Sequence, residues 1–293
     1  TLIFDVHDAI EHLPGATEAR REIVSRATVY LDSLAADAGD DVTLLLELAN
    51  AYDRLGLSQR SLFGGDTGES HQALRSYERG LEIARHALAL EPRNPEAQVR
   101  LVGSLLRMGD MARLDNEIAK AVVFYREAAS RADAIHAGLR DDLNATTQKA
   151  TTHQKLGIAL FAQGAYDEAE AAYEVAQTIY KAAVALAPDD LVLRRNLAVS
   201  HEKKADLFQA NGDANRALGS YLLALDVYRN LATLDPSPAA EITVAIGCLK
   251  VAEPRGHPAY SNLGDYDGAL EAIDEGAARL RAVIAADSGN DRA

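Results

Sequence analysis

His201 and Glu202 open the stretch HEKKA, and a histidine four places after His201 would complete the HExxH pair of a helical zinc hydrolase. Residue 205 is alanine, so that second ligand is missing. His153 stands 48 residues before His201, and two such histidines on neighbouring helices could offer one ion two nitrogens. A third ligand would still be required. Core filling is the reading that the spacing favours, with a metal-dependent hydrolase as a remote alternative and no cofactor or metal assigned. His7 and His12 are five apart, off one helical face, and carry no role.

Carboxylates are the other chemistry on offer. Asp53, Asp110, Glu202, Asp206 and Glu253 recur at positions that alternate with apolar Leu106, Ile158 and Phe161. No two of them stand apart as an acid–base pair. On one helical face they would line a partly apolar trough suited to a basic or amphipathic peptide, or simply a solvated face of an acidic chain. Arg194 and Arg195 could clamp a carboxylate or pair with Asp189 and Asp190 at a helix start.

The elements that would position these residues are written in a repeat. The skeleton Ala169, Tyr173, Ala176 returns as Ala121, Tyr125, Ala128 and as Ala217, Tyr221, Ala224, with Gly80 closing Ala73, Tyr77 and with Ile273 central in Ala269, Ile273, Gly276. The first alanines stand 48, 48, 48 and 52 residues apart. Residues four and three apart share a helical face, where small side chains admit a neighbouring helix and the tyrosine fills the gap. Upstream of each triplet stand Tyr52/Gly56, Leu105/Gly109, His153/Gly157, His201/Ala205 and Cys248/Ala252. The outer units carry five extra residues, placed in the turn between their helices. All eight prolines are expected at turns, none inside a helix.

KLGIALFAQGAYDEAEAAYEVA, residues 155–176, resembles the tetratricopeptide repeat (TPR) family through Leu156, Gly157, Gly164, Ala169, Tyr173 and Ala176. The ordinary unit has about 34 residues. Seven more in each helix give 48 and keep the inward face within about 20° of its direction. The resemblance implies an all-α fold, a right-handed α-solenoid of antiparallel helix pairs. Expected are an N-terminal cap over 1–40 with a lone helix near 17–37, then units at 42–91, 95–138, 143–187, 190–234 and 238–286, in one continuous superhelical domain.

Residues 4–41, residues 193–213 and GHPAYSNLGDYDGALEAI at 256–273, echoed at 64–77, resemble the C-terminal TPR regions of bacterial serine/threonine protein kinases. That resemblance implies a regulatory or sensor region, on either side of a membrane, whose catalytic domain lies outside this chain. Thr1 as first residue fits a fragment or processed product. The chain has no GxGxxG loop, no HRD…N loop and no DFG, which phosphoryl transfer needs together. VAIGCLK, residues 244–250, is superficially like a kinase lysine strand but falls where a first helix belongs.

Composition narrows the partners. The chain is 48% hydrophobic, 5% aromatic and free of tryptophan, a helix-forming mixture. A net charge of −14 argues against nucleic acid and anionic lipid. Its one cysteine, Cys248, excludes an intramolecular disulfide framework, and no run approaches the ~18 apolar residues of a membrane helix. The expected function is a non-catalytic protein–protein or peptide-binding scaffold. Self-assembly into a homo-oligomer, through terminal faces such as LIFDVHDAI, is the alternative.

Overall fold

Helix after helix in this chain begins on a side chain that can accept from its own first turn. Asn94 accepts from the amides of Glu96 and Ala97 just before Pro95, and Asp190 from those of Val192 and Leu193. Asp41, Asp142, Asp213, Ser237 and Asp265 each accept from an amide three residues on. Such caps satisfy donors that the helix itself cannot, for about 1 kcal/mol each.

The computed structural model describes residues 17–63, 67–138 and 142–286. LIFDVHDAI with His7 and His12, Pro14, residues 64–66 and the tail SGNDRA lie outside the described residues. Eleven helices run through the described residues: α1 (Thr17–Asp37), α2 (Val42–Phe63), α3 (Thr67–Leu90), α4 (Pro95–Leu114), α5 (Ile118–Gly138), α6 (Leu143–Gln163), α7 (Tyr166–Leu186), α8 (Leu191–Ala210), α9 (Ala214–Leu234), α10 (Pro238–Gly256) and α11 (Tyr266–Ala286). No strand occurs among them. The all-α architecture of helix pairs is as the repeat predicts.

The chain forms two compact units, Thr1–Leu139 and Arg140–Ala293. In the first, α2 pairs with α3 and α4 with α5; α1 lies against α2, α3 against α4, and α2 also reaches α4. In the second, the pairs are α6/α7, α8/α9 and α10/α11, joined by α7 against α8, α6 against α8 and α9 against α10. Within each unit, helices therefore meet their nearest neighbours along the chain, the packing of a solenoid.

The seam of the pairs α2/α3, α4/α5 and α6/α7 is a tyrosine ring laid on a glycine of the preceding helix. A methyl group on Gly56 would come 2.7 Å from Cε1 of Tyr77, and one on Gly157 2.7 Å from Cε1 of Tyr173. Gly109 and Tyr125 meet more closely still. Tyr77, Tyr125, Tyr173 and Tyr221 are buried with the alanines beside them. Ile273, at the fifth seam position, is 39% exposed.

Two expectations are corrected. The extra residues of the first unit do not form a long turn; α2 runs on to Phe63 and α3 starts at Thr67. Nothing between Arg54 and Phe63 breaks a helix, so the insertion is spent on added turns. Pro254 lies inside α10, in its last turn. There the ring has little helix left to disrupt, and the returning loop occupies carbonyls that the helix end leaves without a partner: Leu263 N–H donates to Pro254 O (3.0 Å) and Asp265 N–H to Arg255 O (2.9 Å).

A left-handed residue joins the two helices of a pair. Gly164, Gly212 and Gly264 have φ of 84°, 80° and 73°, and Asn116, 48 residues before Gly164, has φ 59°. Glycine adopts this conformation freely, and asparagine more readily than other side chains.

Candidate functional site: the polar row of the first helices

Three residues before the groove position of every first helix stands a cation: Arg54, Arg107, Lys155, Lys203 and Lys250, ahead of Leu57, Asp110, Ile158, Asp206 and Glu253. One helical turn brings such a pair onto one face. The acidic residues alone suggested a trough of single sign; the cations at the same period were the missed signal.

In the second unit this row closes into a network. Lys203 Nζ on α8 donates to Asp206 Oδ2 and to Glu202 Oε1, both at 3.0 Å. Lys250 Nζ, on α10, donates to Asp206 Oδ1 (3.2 Å) and lies 3.7 Å from Glu253. Tyr221 Oη donates to Asp206 Oδ1 (2.7 Å), and Tyr228 Oη to Glu202 Oε2 (2.9 Å). Three carboxylates and two ammonium groups leave one formal negative charge here. The carboxylate side chains are about a fifth exposed, at 20–21%, so the row remains in reach of a partner.

Electrostatics follow from this pairing. Burial pushes the Asp206 carboxyl up, but the Lys203 ammonium, the Tyr221 hydroxyl and Lys250 together hold it below its usual range. Burial, with Asp206 adding to it, raises Glu253 despite Lys250. Burial also opposes charge on Lys203, yet the Asp206 and Glu202 carboxylates raise its pKa. Arg195 is exposed on α8, and its charge acts on Tyr228, the tyrosine that serves Glu202. Asp190 is engaged as the α8 cap.

Ile158 and Phe161 sit part-exposed on α6, with the Phe161 ring tilted against Tyr166 at 5.8 Å between centroids. In the first unit Asp110 accepts from Tyr125 Oη (2.7 Å), and Leu106 lies part-buried one turn earlier. Asp53 does not line an open face. It is 9% exposed, accepts from Ser104 Oγ at 3.4 Å, and its Oδ1 has no hydrogen-bond partner.

The 15-residue Asp–Tyr spacing within a pair (110/125 and 206/221) is a second signal carried by the sequence. Where the groove residue is Ile158 or Leu57 instead, the buried hydroxyls of Tyr173 and Tyr77 have no partner. This contrast sets an expected result. Tyr125→Phe should cost about 2 kcal/mol by removing a bond to a carboxylate, while Tyr173→Phe should be neutral or stabilise by up to about 1 kcal/mol. Chemical denaturation of the two variants checks it, and equal losses would refute the assignment.

The histidine positions do not assemble a metal site. His201 is buried with Nδ1 3.3 Å from Gln177 Nε2, which also donates to Ser200 O. Burial, with Lys181 and Lys204 nearby, lowers its pKa to about 4. Among the described residues no group of three or more His, Cys, Asp or Glu could hold a metal ion. VAIGCLK lies within α10, with Val244, Ala245, Gly247 and Cys248 buried. No helix among the described residues is long and apolar enough to cross a membrane.

No protein-family model matches the chain, and no curated protein is significantly similar to it. Solved structures are similar in fold. BtubC (BKLC) from P. vanneervenii is 18% identical over 94% of this chain and 93% of its own, with a TM-score of 0.66. A Signal Transduction ATPase with Numerous Domains from Pyrococcus horikoshii, which carries a tetratricopeptide repeat sensor, is 14% identical with a TM-score of 0.59. That match covers 97% of this chain and 37% of the larger one. The chain has a TPR-like repeat fold.

Proposed function

We propose that the chain is a non-catalytic protein-interaction scaffold, and that it serves as the regulatory or sensor region of a bacterial serine/threonine kinase, as its sequence resemblance implies. The observation that carries the scaffold reading is the polar row of α8 and α10, five part-exposed charges held in register by the repeat itself. Fixed charges on rigid elements recognise a partner by complementarity and need no reacting group. Similarity to repeat proteins, one with a repeat sensor in a signalling ATPase, supports this reading. Because Lys203 and Lys250 offset most of the carboxylate charge, the suited ligand is an amphipathic peptide with basic residues spaced to meet Glu202 and Glu253.

The test is a synthetic library of 15-residue peptides, acidic, basic and amphipathic, titrated by fluorescence anisotropy. Basic amphipathic members should bind and weaken about tenfold on the Glu202→Gln/Glu253→Gln double change, a loss of about 1.4 kcal/mol. Binding of no peptide class, or binding indifferent to that change with the helical signal intact, would remove the groove reading.

A further inference from the structure

The last described helix pair presents one half of an interface that the preceding pair shows complete. Where α10 packs against α8 and α9 the interface is complete: Lys250 bridges back to Asp206 of α8 at 3.2 Å, and its ammonium lies 5.8 Å from the Tyr221 ring centroid on α9. Leu225 and Tyr228 pack against α10 at Gly247. One repeat later Glu253 stands where Asp206 stood, and Ile273 where Tyr221 stood. Glu253 has the lysine three residues before it, Lys250, just as Asp206 has Lys203. Among the described residues nothing supplies the second lysine, the one that arrives from the next helix.

The apolar part of the face is equally open. Ile273 is 39% exposed where Tyr221 is 2%, and Leu249, Tyr266 and Leu270 beside it are 44%, 63% and 59% exposed. These four, with Glu253 and Tyr260, line a cleft of about 470 Å³. A clustered apolar surface with one charged group at its edge marks an interaction site.

We propose that this face of α10 and α11 docks an amphipathic α-helix of a partner protein, with an apolar stripe over Ile273 and Leu270 and a lysine bridging Glu253. The occupant is set by continuity: the fold covers the equivalent face of α8 and α9 with a helix of that description, α10. A second copy offers neither the lysines of its own α8 and α10 nor one on its exposed first helix. Lys203 and Lys250 are engaged within their own unit, and α1, whose Val29 and Tyr30 are exposed, contains no lysine. The face shares Glu253 with the polar row, but Ile273, Leu270 and Tyr266 lie outside that row, so Ile273→Asp tests this face apart from the groove reading.

The probe is a labelled, hydrocarbon-stapled peptide with the α10 sequence, residues 238–256, carrying Cys248→Ala, titrated into the full chain. Stapling supplies the helicity that an isolated segment of this length lacks. Saturable binding is expected, weakened about tenfold or more by Ile273→Asp or by Glu253→Arg in the full chain. A peptide with Lys250→Glu should bind the Glu253→Arg chain at least as well as the original pair binds, a charge exchange that a merely unfolded variant could not rescue. No saturable binding, or binding unchanged by Ile273→Asp, would overturn the proposal. So would a concentration-dependent dimer that Ile273→Asp abolishes and the peptide does not displace, since that assigns the face to a second copy.

Discussion

Replacing Gly109 with alanine is expected to destabilise the first unit by about 1–3 kcal/mol, although glycine-to-alanine inside a helix ordinarily gains up to about 1 kcal/mol. The new methyl would stand 2.7 Å from Cδ1 and 2.8 Å from Cζ of Tyr125. That ring cannot swing aside at low cost, because it is fully buried and its hydroxyl is tied to Asp110 at 2.7 Å. Moving it would either stretch a bond to a carboxylate or disturb the flanking Ala121 and Ala128, both wholly buried. Gly103, earlier on the same helix, has no atom within 4 Å of where its methyl would go, so Gly103→Ala should stabilise. Opposite signs in urea denaturation support the ring-on-glycine seam, and a gain at both sites would refute it. The α8/α9 pair bounds the cost from above, since there Ala205 holds the same position opposite a buried Tyr221.

That seam was legible before any coordinates because both halves of it are local and periodic. Tyrosines recur every 48 residues, a glycine or alanine stands sixteen residues before Tyr125, Tyr173 and Tyr221, and prolines follow Asn94 and Ser237 at the starts of α4 and α10. Burial was less legible. Asp53 and Glu202 occupy equivalent positions in their repeats, yet Asp53 is enclosed and Glu202 is part-exposed beside Lys203. What separates them is the neighbouring helix, where a methyl on Gly80 would come 3.0 Å from Asp53 Oδ1, and no pattern within one helix reports that. The polar row was half read. Its anions drew attention in a chain of net charge −14, while the cations one turn earlier share the same repeat and decide the local balance.

The enclosed position of Asp53 has the second large expected effect. Burial pushes its carboxyl from 3.8 up to about 6, against the opposing pull of Arg107, Arg100 and the Ser104 hydroxyl. A folded-state pKa above the unfolded one means that the unit is relatively favoured while Asp53 is protonated and loses stability as pH rises from about 4 to about 6. At neutral pH the shift corresponds to about 3 kcal/mol of destabilisation as an upper figure. Asp53→Asn removes the charge and keeps the shape, and should stabilise the first unit by about 1–3 kcal/mol at pH 7, with the gain vanishing near pH 4. His201 in the second unit has the opposite sign: its pKa is lowered from 6.5 to about 4, so stability is present above 6.5 and is lost as pH falls through that window. Hydrogen exchange followed helix by helix separates the two responses. Between pH 6.5 and 4, opening of α8 and α9 should become easier while α2 and α4 gain protection, and in the Asp53→Asn variant α2 and α4 should be better protected at pH 7, with little difference from the parent chain at pH 4. Weaker protection of α2 in that variant at pH 7 would mean that attraction to Arg100 and Arg107 outweighs the cost of burying the carboxylate.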